Sequence, residues 1–198
     1  RVIAIEPHPR LVRLLRAFPR GRVEVHRAIA SDRGGLTLPL EVELVANREA
    51  DALGHVATGA MRRGVRRYPT PTLALDDFAG LPVGFVKIDV EGHELAVLQG
   101  ARQLLARQRP VVLVEAEFRH RAGAPQDVFG YLAEQGYTGF FLNGGTALPV
   151  AGFSPALQDM ALLTGYRLRE QARYVNNFIF VPDERDPAAI MAACERLL

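Results

Sequence analysis

The fold is decided by the stretch from residue 84 to residue 101, which reads Gly84-Phe85-Val86-Lys87-Ile88-Asp89-Val90-Glu91-Gly92-His93-Glu94-Leu95-Ala96-Val97-Leu98-Gln99-Gly100-Ala101. An apolar strand runs into a cluster of ionisable groups, a glycine and an amphipathic helix. Because side chains alternate along a strand, Lys87 and Asp89 point to the same face. Burying two opposite charges at the carboxyl end of a strand costs free energy unless they form an ion pair or belong to a functional site. Open α/β sheets bind ligands at that end. The stretch therefore predicts either a structural ion pair or part of a functional site.

The composition is that of a globular domain. The chain has 198 residues, 48% of them hydrophobic, which predicts one substantial core and a single domain over residues 1–198. No apolar run approaches the roughly 20 residues that a membrane helix requires, so no membrane partner is expected. Cys194 is the only cysteine, so disulfides within the chain are excluded and a reducing cytoplasm is the expected location. A net charge of +2 does not require a nucleic-acid partner.

Strands and helices alternate along the chain. Apolar runs predict strands at residues 1–5, 23–26, 36–44, 85–89, 111–117, 137–142 and 178–181, of which 36–44 reads as an edge strand because it contains a proline. Helical spacing of apolar residues predicts helices over residues 11–18, 95–105, 126–135 and 187–198. Residues 45–72 hold no period and are expected to form a long loop. This alternation predicts an α/β, doubly wound fold.

Glu6 is the second chemical signal. It ends an early apolar strand and precedes a turn and a helix, which is where Rossmann-like folds hold the ribose hydroxyls of an adenosine cofactor. A glutamate before a proline is equally typical of a plain strand end. The familiar glycine-rich turn stands about 20 residues before the acidic residue, and counting back from Glu6 runs off the start of the chain. The sequence thus predicts that the first strand, its glycine loop and its helix are absent from this chain.

Several motifs resemble those of the FkbM-type methyltransferases. The longest and most specific is Val86-Lys87-Ile88-Asp89-Val90-Glu91-Gly92-His93-Glu94. The shorter ones fall in the matching order along nearly the whole chain, at residues 2–9, 28–35, 75–78, 98–101, 114–115 and 177–182. The resemblance implies an S-adenosylmethionine-dependent O-methyltransferase with a class I Rossmann-like sheet. Such enzymes act on hydroxyl groups of sugars, glycans, polyketides and related natural products.

The resemblance also implies which residues would bind the cofactor, namely Glu6, Pro7, Ala28, Ile29, Ser31 and Asp89. Glu6 would hold the ribose, the residues after the second strand would flank the adenine, and Asp89 would face the sulfonium and the acceptor hydroxyl. A neutral alcohol is a poor nucleophile, so a base or a metal ion has to activate it. The candidate catalytic residues are Lys87, Asp89, Glu91 and His93.

A divalent metal ion is the alternative to a base. Asp89 ends one predicted strand, and Glu115 and Glu117 share one face at the end of the next. Carboxylates from neighbouring strand ends supply the oxygen ligands that magnesium prefers. A metal-free network, in which Lys87 neutralises Asp89 or Glu115, fits the same residues.

Three other functions compete with this interpretation. A nucleic-acid methyltransferase is disfavoured because the chain has no Asn-Pro-Pro-Tyr-like motif. A nicotinamide dehydrogenase would use Glu6 equally well, but a Tyr-x-x-x-Lys pair is excluded since Lys87 is the only lysine. A non-catalytic methyltransferase-like interaction domain stays open, and cofactor binding by the complete gene product would separate it from the enzyme. For the enzyme, the expected partner is a small-molecule or glycan hydroxyl acceptor.

Overall fold

The structure is a computed structural model, and it describes residues 1–17, 22–45, 48–57, 63–162 and 174–195. The chain forms two compact units. The N-terminal unit contains Arg1–Gly80 and Ala96–Arg102, and the C-terminal unit contains Leu81–Leu95 and Gln103–Leu198. Both units mix helices and strands, which confirms the α/β class. None of the helices in the described ranges has the length and apolarity that crossing a bilayer requires.

The N-terminal unit begins with a small parallel sheet. Its strands are β1 (Val2–Ile5) and β2 (Val23–His26), and α1 (Pro9–Arg16) connects them. A proline suits the first turn of α1 because its fixed φ is already helical and its missing N–H is not needed there. These elements confirm the predicted ones, although the predicted helix end at residue 18 lies outside the described residues. In the described part of the chain, β1 pairs on one side only, with β2.

A four-stranded sheet completes the N-terminal unit. It consists of β3 (Ile29–Ala30), β4 (Thr37–Val45), β5 (Arg48–Val56) and β6 (Val65–Leu73), in the order β3-β6-β4-β5. Two predictions are wrong here. The predicted edge strand is β4, which has neighbours on both sides, and most of the predicted loop forms β5 and β6. Residues 46–47 and 58–62 of that stretch lie outside the described residues.

β5 and β6 cannot be recognised in the sequence, because they are stabilised by long-range pairing and carry no local pattern. β6 contains two prolines, which lack amide donors, yet it pairs with β4 from Val65 to Pro71. Pro69 of β6 lies opposite Pro39 of β4, so two residues without donors face each other. The inner face of β4 is buried in a hydrophobic core formed by Ile29, Leu40 and Val42.

Five strands form the sheet of the C-terminal unit, and they are β7 (Phe85–Ile88), β8 (Val111–Glu115), β9 (Tyr137–Asn143), β10 (Thr146–Pro149) and β11 (Asn177–Pro182). Their order is β10-β9-β11-β8-β7. β7 and β8 are parallel, whereas β11 is antiparallel to β8 and β9. The sheet is therefore mixed, and a doubly wound parallel arrangement stays a prediction. α4 (Ala124–Glu134) and α5 (Pro187–Glu195) confirm the predicted helices, while residues 196–198 lie outside the described residues.

The helix predicted over residues 95–105 is interrupted at Gly100. It forms two shorter helices, α2 (Glu94–Gln99) and α3 (Arg102–Gln108). The backbone of Gly100 lies so close to the Ser31 carbonyl oxygen that a Cβ at this position would overlap it. The Gly100 carbonyl accepts a hydrogen bond from the Asp76 amide at 2.8 Å. A close backbone contact, which only glycine permits, therefore ends α2.

Phenylalanine rings form the core that fixes β8 and β11. Phe178 of β11 meets the rings of Phe129 and Phe153 edge to face, at centroid distances of 4.7 and 5.0 Å. Gly139 of β9 leaves room for the ring of Phe180, since a Cβ at Gly139 would overlap that ring. Each fully buried large apolar side chain contributes about 1.5–3 kcal/mol. β11 pairs with β8, whose carboxyl end carries polar residues described next.

Candidate functional site

The carboxyl end of β7 carries an ion pair. The Lys87 ammonium Nζ lies 2.7 Å from Oδ2 of Asp89, which confirms that the two side chains share one face. Both side chains are roughly half exposed. An ion pair in such a setting contributes about 1 kcal/mol or less to stability. The pair therefore orients Asp89 more than it stabilises the fold.

The turn after Asp89 is strained and firmly anchored. Glu91 has a φ of 53° and Gly92 a φ of 99°, both in the left-handed region. For a residue other than glycine this conformation costs on the order of 1 kcal/mol, and it persists where the surroundings impose it. The Glu94 side chain supplies the anchor, because its Oε1 accepts the Gly92 amide hydrogen at 2.6 Å. Glu94 is only 1% exposed, and this burial raises its pKa.

The carboxylate of Glu91 contacts a histidine that the sequence did not identify as a candidate site residue. Nε2 of His120, in the loop after β8, lies 2.5 Å from Oε2 of Glu91. Burial and the neighbouring Arg119 charge lower the pKa of His120, against the opposing effect of nearby carboxylates. His93, the other histidine proposed as a base, lies in the same turn, and its role stays a prediction.

Glu117 is a buried carboxylate with a full set of donors. Its side chain is 1% exposed. Arg119 donates hydrogen bonds to both of its oxygens, from Nε at 2.7 Å and from Nη2 at 2.8 Å. The Tyr174 hydroxyl donates to the same carboxylate. Burial alone would raise the pKa of Glu117, but the bonds from Arg119 and Tyr174 outweigh it and lower that pKa. Glu117 is therefore a fixed anion.

Glu115 lies beside Glu117 but has different partners. The Asn176 amide donates to Oε1 of Glu115 at 2.8 Å and reaches Oε1 of Glu117 at 3.5 Å, which confirms that the two glutamates lie together. Ile88 and Val114 are paired in the parallel ladder, so Asp89 follows β7 next to Glu115. Burial, together with the negative charges of Asp89 and Glu117, raises the pKa of Glu115 to about 7.

The proposed magnesium ligands do not form a metal site. Within the described ranges, no group of three or more His, Cys, Asp or Glu side chains is arranged to hold a metal ion. The physical reason is that Asp89 is paired with Lys87 and that both oxygens of Glu117 are occupied by Arg119. Asp89 and Glu117 form the ion pairs that a metal-free network requires, and magnesium at Asp89, Glu115 and Glu117 has no arranged ligand group within the described ranges.

The residues predicted to bind the cofactor belong, apart from Asp89, to the N-terminal unit. Ala28, Ile29 and Ser31 are all buried. The Ile29 side chain packs in the β4 core, so only its backbone remains for an adenine contact. The Ser31 hydroxyl donates to Oδ1 of Asp32 at 3.1 Å.

Glu6 is the residue of this set whose chemistry fits the cofactor. Its Oε1 accepts the His8 amide hydrogen at 2.7 Å, which fixes the carboxylate just after β1 and beyond Pro7. A carboxylate accepts hydrogen bonds at both of its oxygens, which is the chemistry that donating ribose hydroxyls require. The donor and acceptor chemistry of S-adenosylmethionine ribose therefore fits Glu6.

The fold and the polar cluster define an α/β protein with ionisable groups where two parallel strands end. Comparison with family sequences is more specific, because residues 1–138 match the family described as the methyltransferase FkbM domain. The chain belongs to the FkbM methyltransferase domain family. Comparison with curated proteins gives no match.

A solved structure shares the fold. It is the crystal structure of the methyltransferase FkbM from Methylobacillus flagellatus KT, which is 18% identical to this chain with a TM-score of 0.50. The match covers 91% of this chain and 36% of that one. This chain thus spans little more than a third of the length of its structural relative.

Proposed function

We propose that the complete protein is an S-adenosylmethionine-dependent O-methyltransferase. Its acceptor is a hydroxyl group of a sugar, a glycan or a natural-product small molecule. The observation that carries this proposal is the family match over residues 1–138. The carboxyl groups after β7 and β8 support a hydroxyl acceptor, because carboxylates accept both hydrogen bonds and protons from hydroxyl groups.

The proposed role of the N-terminal unit is to bind the cofactor. Glu6, held by the His8 amide, accepts hydrogen bonds from the ribose hydroxyls. When bound, S-adenosylmethionine supplies a methyl group on a positively charged sulfur, which is an excellent leaving group. The protein therefore mainly has to align the acceptor and relieve it of its proton.

The proposal includes the Rossmann-like sheet of class I methyltransferases. In the described part of the chain, β1 and β7 are each an edge strand of their own sheet. Both run parallel to the one neighbour that they have. An open edge is the place where a further parallel strand would pair, since unpaired backbone donors and acceptors are otherwise left exposed.

The proposed role of the C-terminal unit is to receive the acceptor. Asp89, Glu91 and Glu115 surround the carboxyl ends of β7 and β8, where open α/β sheets bind ligands. One group of this cluster takes the hydroxyl proton. The fixed Glu117 carboxylate and the Asn176 amide hold the cluster in place.

The test uses full-length protein and labelled S-adenosylmethionine. Calorimetry measures cofactor binding, and scintillation counting measures methyl transfer to a panel of methyl glycosides and phenolic or polyketide alcohols. We expect binding and transfer to at least one hydroxyl compound. Binding without transfer to any panel member would favour the non-catalytic interaction domain, and no binding would contradict both the enzyme and its cofactor.

A further inference from the structure

We propose that Glu115 is the catalytic base that accepts the proton of the acceptor hydroxyl. This role rests on the O-methyltransferase activity proposed above. Glu115 differs from the candidate bases of the motif around Asp89, which are Asp89, Glu91 and His93.

The partners of the carboxyl groups distinguish Glu115 from its neighbours. Asp89 is paired with the Lys87 ammonium, and Glu117 is held by the Arg119 guanidinium. Glu91 contacts the His120 ring. Glu115 accepts a hydrogen bond from a neutral amide, that of Asn176, and in the described part of the chain no cation lies within ion-pair distance of it. Unlike Asp89 and Glu117, Glu115 therefore has no cationic partner in the described part of the chain.

The surrounding charges give Glu115 a high proton affinity. Burial and the anions Asp89 and Glu117 raise its pKa to about 7, with a smaller effect from Glu91. A hydrogen bond to Glu117 further favours the protonated form of Glu115. A general base is most effective when its pKa lies near the working pH. Glu117, whose pKa is lowered, stays ionised and accepts that hydrogen bond once Glu115 carries the proton.

The position of Glu115 suits contact with an acceptor. It is the last residue of β8, at the carboxyl end where the neighbouring β7 also ends. Its side chain is neither fully exposed nor fully buried, so a bound acceptor has access to it. The Asn176 amide, which precedes β11, fixes one carboxyl oxygen at 2.8 Å.

The titratable and charged groups of the cluster that contains Glu115 come from every neighbouring element. They are Lys87 and Asp89 from β7 and its end, Glu91 from the following turn, Glu117, Arg119 and His120 from the loop after β8, and Tyr174 from the segment before β11. Lys87 and Arg119 are each engaged by another carboxylate, so the anions dominate the effect on Glu115.

Proton transfer to Glu115 accompanies methyl transfer to the acceptor oxygen. The hydroxyl O–H bond breaks and its proton passes to the Glu115 carboxylate, while an oxygen lone pair forms the new bond to the methyl carbon. The bound cofactor would supply this methyl carbon and would keep the electron pair of the broken carbon–sulfur bond as a neutral thioether. Glu115 later returns the proton to water.

The experiment compares full-length wild-type protein with E115Q, E115D and the control E134Q. Glu134 is an exposed carboxylate on α4, so E134Q removes one negative charge from the same unit without touching the cluster. The probe is the methyl glycoside or alcohol that wild-type protein methylates fastest. Because a general base contributes about 10²–10⁴-fold, E115Q is expected to lose about that factor in kcat. E115D should retain an intermediate rate, and E134Q the full rate.

Two further readouts separate catalysis from structure. Cofactor affinity by calorimetry should be equal in wild type and E115Q, and wild-type kcat/KM for the acceptor should rise tenfold per pH unit below about pH 7 and then level off. Wild-type kcat in E115Q, or a wild-type profile with no such rise, would overturn the role of Glu115. Absence of methyl transfer by wild-type protein would instead overturn the proposed function, and this role with it.

Discussion

Arg119 provides a sharp test of the electrostatic account of the cluster. In Arg119→Met, the 1%-exposed Glu117 carboxylate loses two hydrogen bonds of 2.7 and 2.8 Å. Removing one partner of a buried ion pair costs about 3–5 kcal/mol, because the remaining charge is uncompensated. Arg119 is partly exposed, and Tyr174 and Asn176 still donate to Glu117, so we expect a loss of about 2–3 kcal/mol at pH 7.

The loss should depend on pH in a defined direction. The pKa of Glu117 in the folded protein lies below its ordinary value of 4.5. The stabilisation is therefore fully present above about pH 4.5 and disappears as the pH falls through the lower folded-state pKa. The difference between wild type and Arg119→Met should shrink over that interval.

The assay is chemical denaturation of full-length protein at a series of pH values. The matched control is Arg33→Met, which removes an exposed pair with Asp32 and should cost less than about 1 kcal/mol. Equal losses in the two variants would refute the reasoning. A loss in Arg119→Met that is independent of pH would refute the assignment of the effect to Glu117.

Further predictions concern the cofactor and the interrupted helix. Glu6→Ala should weaken S-adenosylmethionine binding to full-length protein by about 1–3 kcal/mol, the scale of charged hydrogen bonds; unchanged calorimetric affinity would remove Glu6 from the ribose site. Gly100→Ala should destabilise the protein by about 3 kcal/mol or more, because the new Cβ would overlap the Ser31 carbonyl oxygen. Gly80→Ala is its control, since a Cβ there meets no atom within 4 Å, and equal melting temperatures in the two variants would contradict the close contact.

The sequence predicted the elements whose pattern is local. The strand at residues 85–88 and the helix after it follow from an apolar run and from helical spacing. The ion pair of Lys87 with Asp89 and the proximity of Glu115 to Glu117 follow from strand alternation alone.

The sequence could not show features that depend on distant segments. β6 contains two prolines and two arginines, and its pairing with β4 and β3 makes it a strand. Similarly, Arg119 and Tyr174 donate hydrogen bonds to Glu117, although neither residue lies in one of the sequence motifs. Tyr174 is 57 residues away from Glu117 along the chain. His120 was missed because a lone histidine in a loop carries no sequence signal.

The most direct test of the account is the mass spectrum of a hydroxyl acceptor after incubation with full-length protein and S-adenosylmethionine that carries a deuterated methyl group. We expect the label to appear as an ether on an acceptor oxygen with wild type and with E134Q, and to be nearly absent with E115Q. Label on nitrogen or carbon, or unlabelled acceptors with a protein that binds the cofactor, would contradict it.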